Sequence, residues 1–343
     1  MKDNKALPRS NTEMEMYMKV GIAGAGSIIP DFLKAAAKVS GYDICAICAT
    51  ERGRSRMEEL AKAYDISSIY VDYELMVKNP YIDTIYVAVP NNMHYEFTKL
   101  ALQEGKNVIL EKPFASNYDE AKELVELARK QGLYLFEAIS NQYLPNYLKV
   151  KELLPSLGEI KIVELNFSQY SSRYDSFKLG NVLPVFDPKK SGGALMDLNV
   201  YNIHFVVGLF GEPCKVSYYA NLEREIDTSG ILVMEYPSFQ CVAIGAKDCK
   251  ARMSANIQGD KGFIHSDSPT NSFEDFIHEM NSGKTEEFRL NKHEERLYDE
   301  LQAFYRMVES KDYSLNLEQM ERSLCVMRIL DEARSQVGIE ICK

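Results

Sequence analysis

A doubly wound parallel α/β sheet followed by an α+β domain with a large, mostly antiparallel, open-faced sheet is the fold that this sequence predicts. Three observations carry it. Residues 18–136 alternate short apolar runs with helical periods. A glycine-rich turn, Gly24-Ala25-Gly26, joins the first run to the first helix. Beyond Pro145 the alternation gives way to long strands broken by hairpin-type turns.

Lys19 to Ala23 reads as the first strand, and a helix after the turn reaches about Val39. Tyr42 to Ala49 is the second strand, Met57 to Tyr64 a helix, and Ile69-Tyr70-Val71 a short strand before a helical stretch from Tyr73 to Lys78. Asp83 to Val89 is continuous in apolar residues, as expected of a strand covered on both faces. Pro90-Asn91-Asn92 ends it, and a helix runs from His94 to Glu104. Asn107 to Leu110 is the fifth strand. Ser116 or Asn117 caps a helix to Gln131, Gly132 stops it, and Leu133 to Phe136 is the sixth strand. The second part predicts a helix from Tyr147 to Leu153, a strand from Ile160 to Tyr170, a Ser/Pro/Lys/Gly loop to Gly193 and a helix from Ala194 to Phe210. Four or five strands follow (Lys215–Leu222, Ser229–Tyr236, Gln240–Lys247, Arg252–Ile257, Gly262–Ser266), then helices from Glu294 to Ser310 and Leu317 to Val337.

Bulk properties narrow the classes. At 343 residues, two domains are the default, and 45% hydrophobic with 26% charged residues is an ordinary globular composition. The net charge of -10, with scattered Lys and Arg, argues against nucleic acid or an anionic membrane as partner. No apolar run approaches the roughly 18 residues of a membrane span, and the first 16 residues lack the apolar stretch of a signal peptide. Seven cysteines without framework spacing point to a reducing cytoplasm. Cys45 and Cys48 form a CxxC, but in a strand positions three apart face opposite sides, so a core role is expected and no metal.

In a doubly wound sheet ligands sit outside the carboxyl ends of the strands. Gly24 makes the tight turn, Gly26 lets backbone approach a pyrophosphate, and Ser27 and Ile28 open the helix above it. Ile29 replaces the third small residue of that pattern, which predicts wider helix–strand spacing. Thr50, Glu51 and Arg52, just past the second strand, are placed to read the adenine ribose. Glu51 favours NAD and Arg52 favours NADP, so the choice stays open. Pro90, Asn91 and His94 end the fourth strand above the same crevice. Glu111-Lys112-Pro113 ends the fifth, with Lys112 aimed at whatever the turn binds and positioned for proton transfer or carbonyl polarisation. On the glycine-started helix, Asp197, Tyr201 and His204 are spaced to share one face, a carboxylate, phenol and imidazole suited to acid–base work.

Together the Gly24 turn, the run Val89-Pro90-Asn91 to His94, Glu111-Lys112-Pro113, Gly192-Gly193-Ala194-Leu195-Met196-Asp197 with Tyr201, and Gln258-Gly259-Asp260-Lys261-Gly262 resemble the Gfo/Idh/MocA oxidoreductases. The resemblance covers nearly everything after Met18. It implies an extension (1–17), a dinucleotide-binding Rossmann domain (18–140) and a substrate-binding and oligomerisation domain (141–343) whose closing helices can return to the first. It further implies a catalytic Lys112. The Asp197-x-x-x-Tyr201 spacing resembles the glucose–fructose oxidoreductase and dihydrodiol dehydrogenase branch, where the tyrosine is the acid/base. Those relatives carry an arginine two residues before a proline after the sixth strand; here the stretch reads Asn141-Gln142-Tyr143-Leu144-Pro145. The expected activity is hydride transfer between NAD or NADP and a sugar, polyol or related alcohol or ketone. Substrate contacts fall to Lys112, Asp197, Tyr201 and His204, and a homodimer or homotetramer forms through the open sheet face. The alternative is a catalytically silent, cofactor-binding regulator on the same fold.

Overall fold

The computed structural model describes residues 17–340, so the polar extension expected at 1–17 lies outside the described residues except for Tyr17. Short apolar runs and helical periods alternate as the sequence predicts, giving β1 (Met18–Ala23), α1 (Ile29–Ala36), β2 (Tyr42–Cys48), α2 (Arg54–Tyr64), β3 (Ser68–Tyr70) and α3 (Tyr73–Val77). The series continues with β4 (Thr84–Val87), α4 (His94–Gln103), β5 (Asn107–Glu111), α5 (Tyr118–Gln131) and β6 (Leu135–Ala138). All pairings are parallel, in the order β3-β2-β1-β4-β5-β6. Strand order reverses between β1 and β4, and that reversal opens a crevice at their carboxyl ends. Asn117 accepts from the Glu120 amide to start α5, and Gly132 ends it in the left-handed conformation.

After α6 (Pro145–Leu153) and β7 (Ile160–Ser168) come the short α7 (Tyr174–Lys178) and α8 (Val200–Phe210). A second sheet uses β7 with β8 (Lys215–Glu223), β9 (Ile226–Glu235), β10 (Gln240–Ala246), β11 (Ser254–Gly259), β12 (Gly262–Ser266), β13 (Phe276–Met280) and β14 (Thr285–Phe288). Its order is β14-β13-β12-β11-β7-β10-β9-β8, antiparallel except for the β7–β10 pair. Two of these strands were not anticipated. β14, the edge strand, carries Glu286 and Glu287, and β13 beside it carries His278 and Glu279, polar residues that hide the apolar alternation.

Two further boundaries differ from expectation. The helix expected from Ala194 opens with a π-helical turn, Leu195–Asn199, and the one expected from Glu294 starts at Tyr298, as α9 (Tyr298–Glu309) before α10 (Tyr313–Gln336). Residues 188–210 pass a test of length and mean hydropathy for a membrane span, but 78% of their most apolar window is buried inside the fold, as in a core helix.

Burial explains how these parts hold together. One face of the parallel sheet packs Val20, Ile22, Ile47 and Phe136 against α1 and α9, with Phe304 stacked on Phe136 at 4.4 Å. The other face joins α4 and α5 to α8, α10 and the second sheet in one continuous core. α9 therefore runs down the first sheet with its N-terminal end near the carboxyl ends of β4 and β5, where Tyr86 and Glu111 lie. The outer face of the second sheet carries Ile162, Tyr219 and Ile231, between 43% and 66% exposed. Tyr219 and Ile231 are cross-strand neighbours there.

Candidate active site

Gly24 follows β1 at φ +127°, where a Cβ would stand 2.3 Å from the Ala88 carbonyl oxygen. A Cβ on Gly26 would meet nothing within 4 Å. The turn thus leaves open backbone at the start of α1, the cradle a pyrophosphate needs. Ile29, in the third position of the pattern, is fully buried in the core beneath. The crevice in front is a cavity of about 660 Å³. Gly24, Gly26, Ser27, Ile28 and Thr50 line one side, and Pro90, Asn91, His94, Glu111 and Lys112 the other. Pro184 closes it from the second part of the chain, and Asn91 donates to the Ser191 carbonyl at 3.1 Å across the same gap.

The structure gives three of the expected crevice residues defined partners. His94 has both ring nitrogens on backbone carbonyls, Pro113 at 2.8 Å and Val89 at 3.0 Å, and burial pushes its pKa down. It braces the two loops, and its polar atoms are spent on that. Glu111 accepts from the Tyr86 hydroxyl at 2.6 Å, and burial raises its pKa. Glu51 is outside the cavity lining and is held bidentate by Arg54, at 2.5 and 2.9 Å. Arg52 is exposed beside it and also outside the lining. Cys45 and Cys48 are both buried in β2, and burial pushes their thiols up to about 11.

Lys112, joined to Pro113 by a cis peptide bond, points from the end of β5 toward the π-helical turn. Its ammonium donates to the backbone oxygen and Oδ1 of Asp197, each at 3.0 Å, and lies 5.0 Å from the centre of the Tyr201 ring. The other carboxylate oxygen of Asp197 accepts from Lys247 at 2.7 Å; Lys247, 2% exposed, also donates to the Val185 carbonyl at 2.8 Å. Burial alone would raise the Asp197 carboxyl, but the Lys112 and Lys247 ammoniums outweigh it and hold it well below the ordinary carboxylate range. Burial also opposes charge on Lys112. Tyr201, Asp197 and Glu111 prevail there, and its pKa stands above the ordinary lysine value. On Lys247 burial wins, and its pKa falls.

His204 does not join Asp197 and Tyr201. It is 1% exposed, with Nε2 3.2 Å from Glu137 and Nδ1 3.1 Å from the Gln142 amide, inside the seam between α8 and β6. A buried imidazole with a buried carboxylate beside it takes that partner rather than a ligand.

Two cations absent from the sequence-based expectations belong to this cluster. Lys247 did leave a signal, because Cys241, Ala243, Gly245 and Lys247 alternate on the inward face of β10 and just beyond it, where a lysine needs a partner. Arg296 left none. It stands at the polar start of the helix expected from Glu294, and there the charges of Tyr201, Glu300 and Glu111 outweigh burial and raise its pKa.

A parallel sheet with this glycine turn, opposed by a lysine, carboxylate and tyrosine, defines a nicotinamide-dinucleotide oxidoreductase. Residues 18–139 match the oxidoreductase family with an NAD-binding Rossmann fold, and residues 147–265 match the GFO/IDH/MocA C-terminal domain. The chain belongs to the Gfo/Idh/MocA oxidoreductases. It is 32% identical to the scyllo-inositol 2-dehydrogenase (NADP(+)) IolU of Bacillus subtilis, over 94% of this chain and 98% of the relative. It is 29% identical to mouse trans-1,2-dihydrobenzene-1,2-diol dehydrogenase, over 66% and 68% of the two chains. The fold matches KijD10, a 3-ketoreductase from Actinomadura kijaniata, with a TM-score of 0.82 and 21% identity over 93% of this chain and 98% of that one. The protein is an NAD(P)-dependent oxidoreductase.

Proposed function

We propose that the substrate is a polyol or sugar-like secondary alcohol, that NADP is preferred over NAD, and that Tyr201 exchanges the hydroxyl proton. The carrying observation is Lys112, tethered by Asp197 with its ammonium 5.0 Å from the Tyr201 ring. Backbone from Gly24 to Ile28 cradles the pyrophosphate at the start of α1, Thr50 faces the adenosine ribose, and Pro90 and Asn91 shape the nicotinamide side. A bound nicotinamide would supply the hydride acceptor, held by the residues just named. Tyr201 takes the hydroxyl proton in that direction and returns it in the other. Lys112 favours the phenolate that forms, and Asp197 keeps Lys112 charged and aimed. The NADP preference is supported by Glu51, whose carboxylate is already occupied by Arg54. Arg52 is left to meet a 2'-phosphate, and IolU is an NADP enzyme by name.

The test is scyllo-inositol, with a panel of other inositols and aldoses, read at the nicotinamide absorbance with each cofactor. Turnover is expected with NADP+, and Tyr201→Phe should lower kcat by roughly 10²–10⁴-fold. Near wild-type turnover in that variant sinks the assignment, and tighter binding of NAD+ than NADP+ sinks the cofactor preference. The reading includes a homodimer or homotetramer through the exposed Tyr219 and Ile231 face, in a reducing cytoplasm. Light scattering of Tyr219→Glu should show a smaller particle than wild type, and equal masses would refute that interface. Fractionation of cells expressing a tagged copy tests the compartment, and recovery outside the soluble cytoplasmic fraction would overturn it.

A further inference from the structure

We propose that Lys247 is a positioning residue that ties Asp197, and through it Lys112, to the loop that walls the cofactor crevice. This rests on the reading of Lys112 and Tyr201 as the reacting pair.

The anchor comes first. Lys247 follows β10 directly, and its backbone is held on both sides: its amide donates to the Thr228 carbonyl at 2.8 Å, and its carbonyl accepts from the Ser171 amide at 2.8 Å. The side chain is 2% exposed and points inward, as the alternation with Cys241, Ala243 and Gly245 dictates. Its ammonium meets two acceptors from different segments, the Val185 carbonyl at 2.8 Å and Oδ2 of Asp197 at 2.7 Å. The Phe186 ring covers the cation, with its centre 4.5 Å away. An ammonium has three donors and no acceptor, and two are spent on those oxygens. Lys247 does not line the crevice, so it acts through its partners and not on substrate.

The contacts close a ring. The Val185 carbonyl also accepts from the Gly193 amide at 3.1 Å, and the Gly193 carbonyl accepts from the Asp197 amide at 3.2 Å. Val185, Gly193 and Asp197 are joined through backbone, and Lys247 joins the first to the last through its side chain. On the cofactor side of the ring, Pro184 stands next to Val185 in the crevice wall, and Asn91 holds the same loop at the Ser191 carbonyl. On the reacting side, Oδ1 of Asp197 accepts from Lys112, whose ammonium lies 5.0 Å from the centre of the Tyr201 ring.

Dividing one carboxylate between two lysines fixes its rotation. With Oδ2 on Lys247, Asp197 cannot turn to offer both oxygens to Lys112. Lys112 therefore keeps its bonds to Oδ1 and the backbone oxygen of Asp197, and its third donor remains for the reacting groups. Without Lys247 the carboxylate is free to swing, and the wall loop loses this tie to it.

A lysine that merely filled its site would lower turnover by the same factor whether or not Asp197 kept its charge. The test is a double-mutant cycle of Lys247→Met and Asp197→Asn, with Lys247→Arg and Tyr201→Phe alongside. Each variant is measured for kcat and KM with scyllo-inositol, or with whichever inositol or aldose of the panel wild type turns over fastest. NADPH affinity is measured by fluorescence titration. Lys247→Met is expected to lower kcat by up to about 10²-fold, the scale of a small misplacement of reacting groups, with KM changing less. In the Asp197→Asn background the same change should lower kcat by no more than about twofold. NADPH affinity should fall several-fold in Lys247→Met, because the wall has lost its tether. Equal kcat factors in both backgrounds, or unchanged NADPH affinity in Lys247→Met, overturn the inference and leave the Tyr201 reading intact. Should Lys247→Met not fold, the cycle with Lys247→Arg decides the matter, since a longer planar fork cannot keep both bonds at their present lengths. Its kcat should fall beside Asp197 and not beside Asn; equal falls, or none, overturn the inference. Undiminished turnover in Tyr201→Phe overturns the reading itself, and the inference with it.

Discussion

The glycine turn and the Asp197 junction face each other across one crevice and are built in opposite ways. The turn is a few consecutive residues acting through backbone, with Gly24 required by its φ of +127° and the Ala88 oxygen behind it. The junction is made of side chains from three separate stretches, Lys112, Asp197 with Tyr201, and Lys247. A backbone cradle is complete once its strand and helix have formed. A buried charge cluster is stable only when its members arrive together, because each alone would carry an unpaired charge out of water. Damage to the turn should therefore stay local, while damage to the junction should reach both stability and turnover.

The largest effect is expected at Lys112. Lys112→Met should reduce kcat by about 10²–10⁴-fold with NADP affinity largely kept, measured by steady-state kinetics and cofactor titration. A variant that lost cofactor binding but kept its kcat would move Lys112 from the junction to the cradle. Next is Lys247→Met, which leaves Asp197 with one cation. Urea unfolding should show a loss of about 3 kcal/mol, at the low end for a broken buried pair because Asp197 keeps Lys112. If stability is unchanged, the two-lysine clamp is ornamental.

Asp227 sharpens the comparison through pH. It accepts from the Leu195 amide at 2.6 Å and the Tyr218 hydroxyl at 2.8 Å, holding the start of the π-helical turn, and burial pushes its carboxyl up to about 6. A raised carboxyl contributes stability fully below its unfolded pKa of about 3.9, and that contribution is lost as pH rises through the folded value. Unfolding measured from pH 4 to 7 should fall by up to about 3 kcal/mol from this site. Asp227→Asn should flatten that fall, and parallel curves would exclude Asp227 as its origin.

The smaller effects lie in the turn. Gly24→Ala should cost about 1–3 kcal/mol of backbone strain and weaken NADP binding. Gly26→Ala, with open space around its Cβ, should stay within about 0.5 kcal/mol of wild type and affect only cofactor affinity. A large stability loss in Gly26→Ala would erase the distinction between the two glycines.

Much of this was legible beforehand for local reasons. The six strands of the first sheet, the Asn117 cap with its Gly132 stop, the Gly24 turn and the exit of Lys112 from β5 are consequences of short-range pattern and turn chemistry. β13 and the edge strand β14 escaped because they carry polar and charged residues where period-two reading expects apolar ones. The parallel β7–β10 pair escaped because partners distant in sequence leave no local mark. His204 was misplaced for a related reason. Its spacing from Tyr201 is helical, but Glu137 of β6 determines what it touches.

By itself, the sequence determined the alternating sheet, the cradle and the lysine aimed over it, since each depends on residues within a few positions of one another. Only the tertiary structure decided that Asp197 bridges two lysines, that His94 spans the Pro113 and Val89 carbonyls, and that His204 lies against Glu137. The physical reason is that buried charges choose their partners by proximity in space, and the packing of α9 and the second sheet sets that proximity.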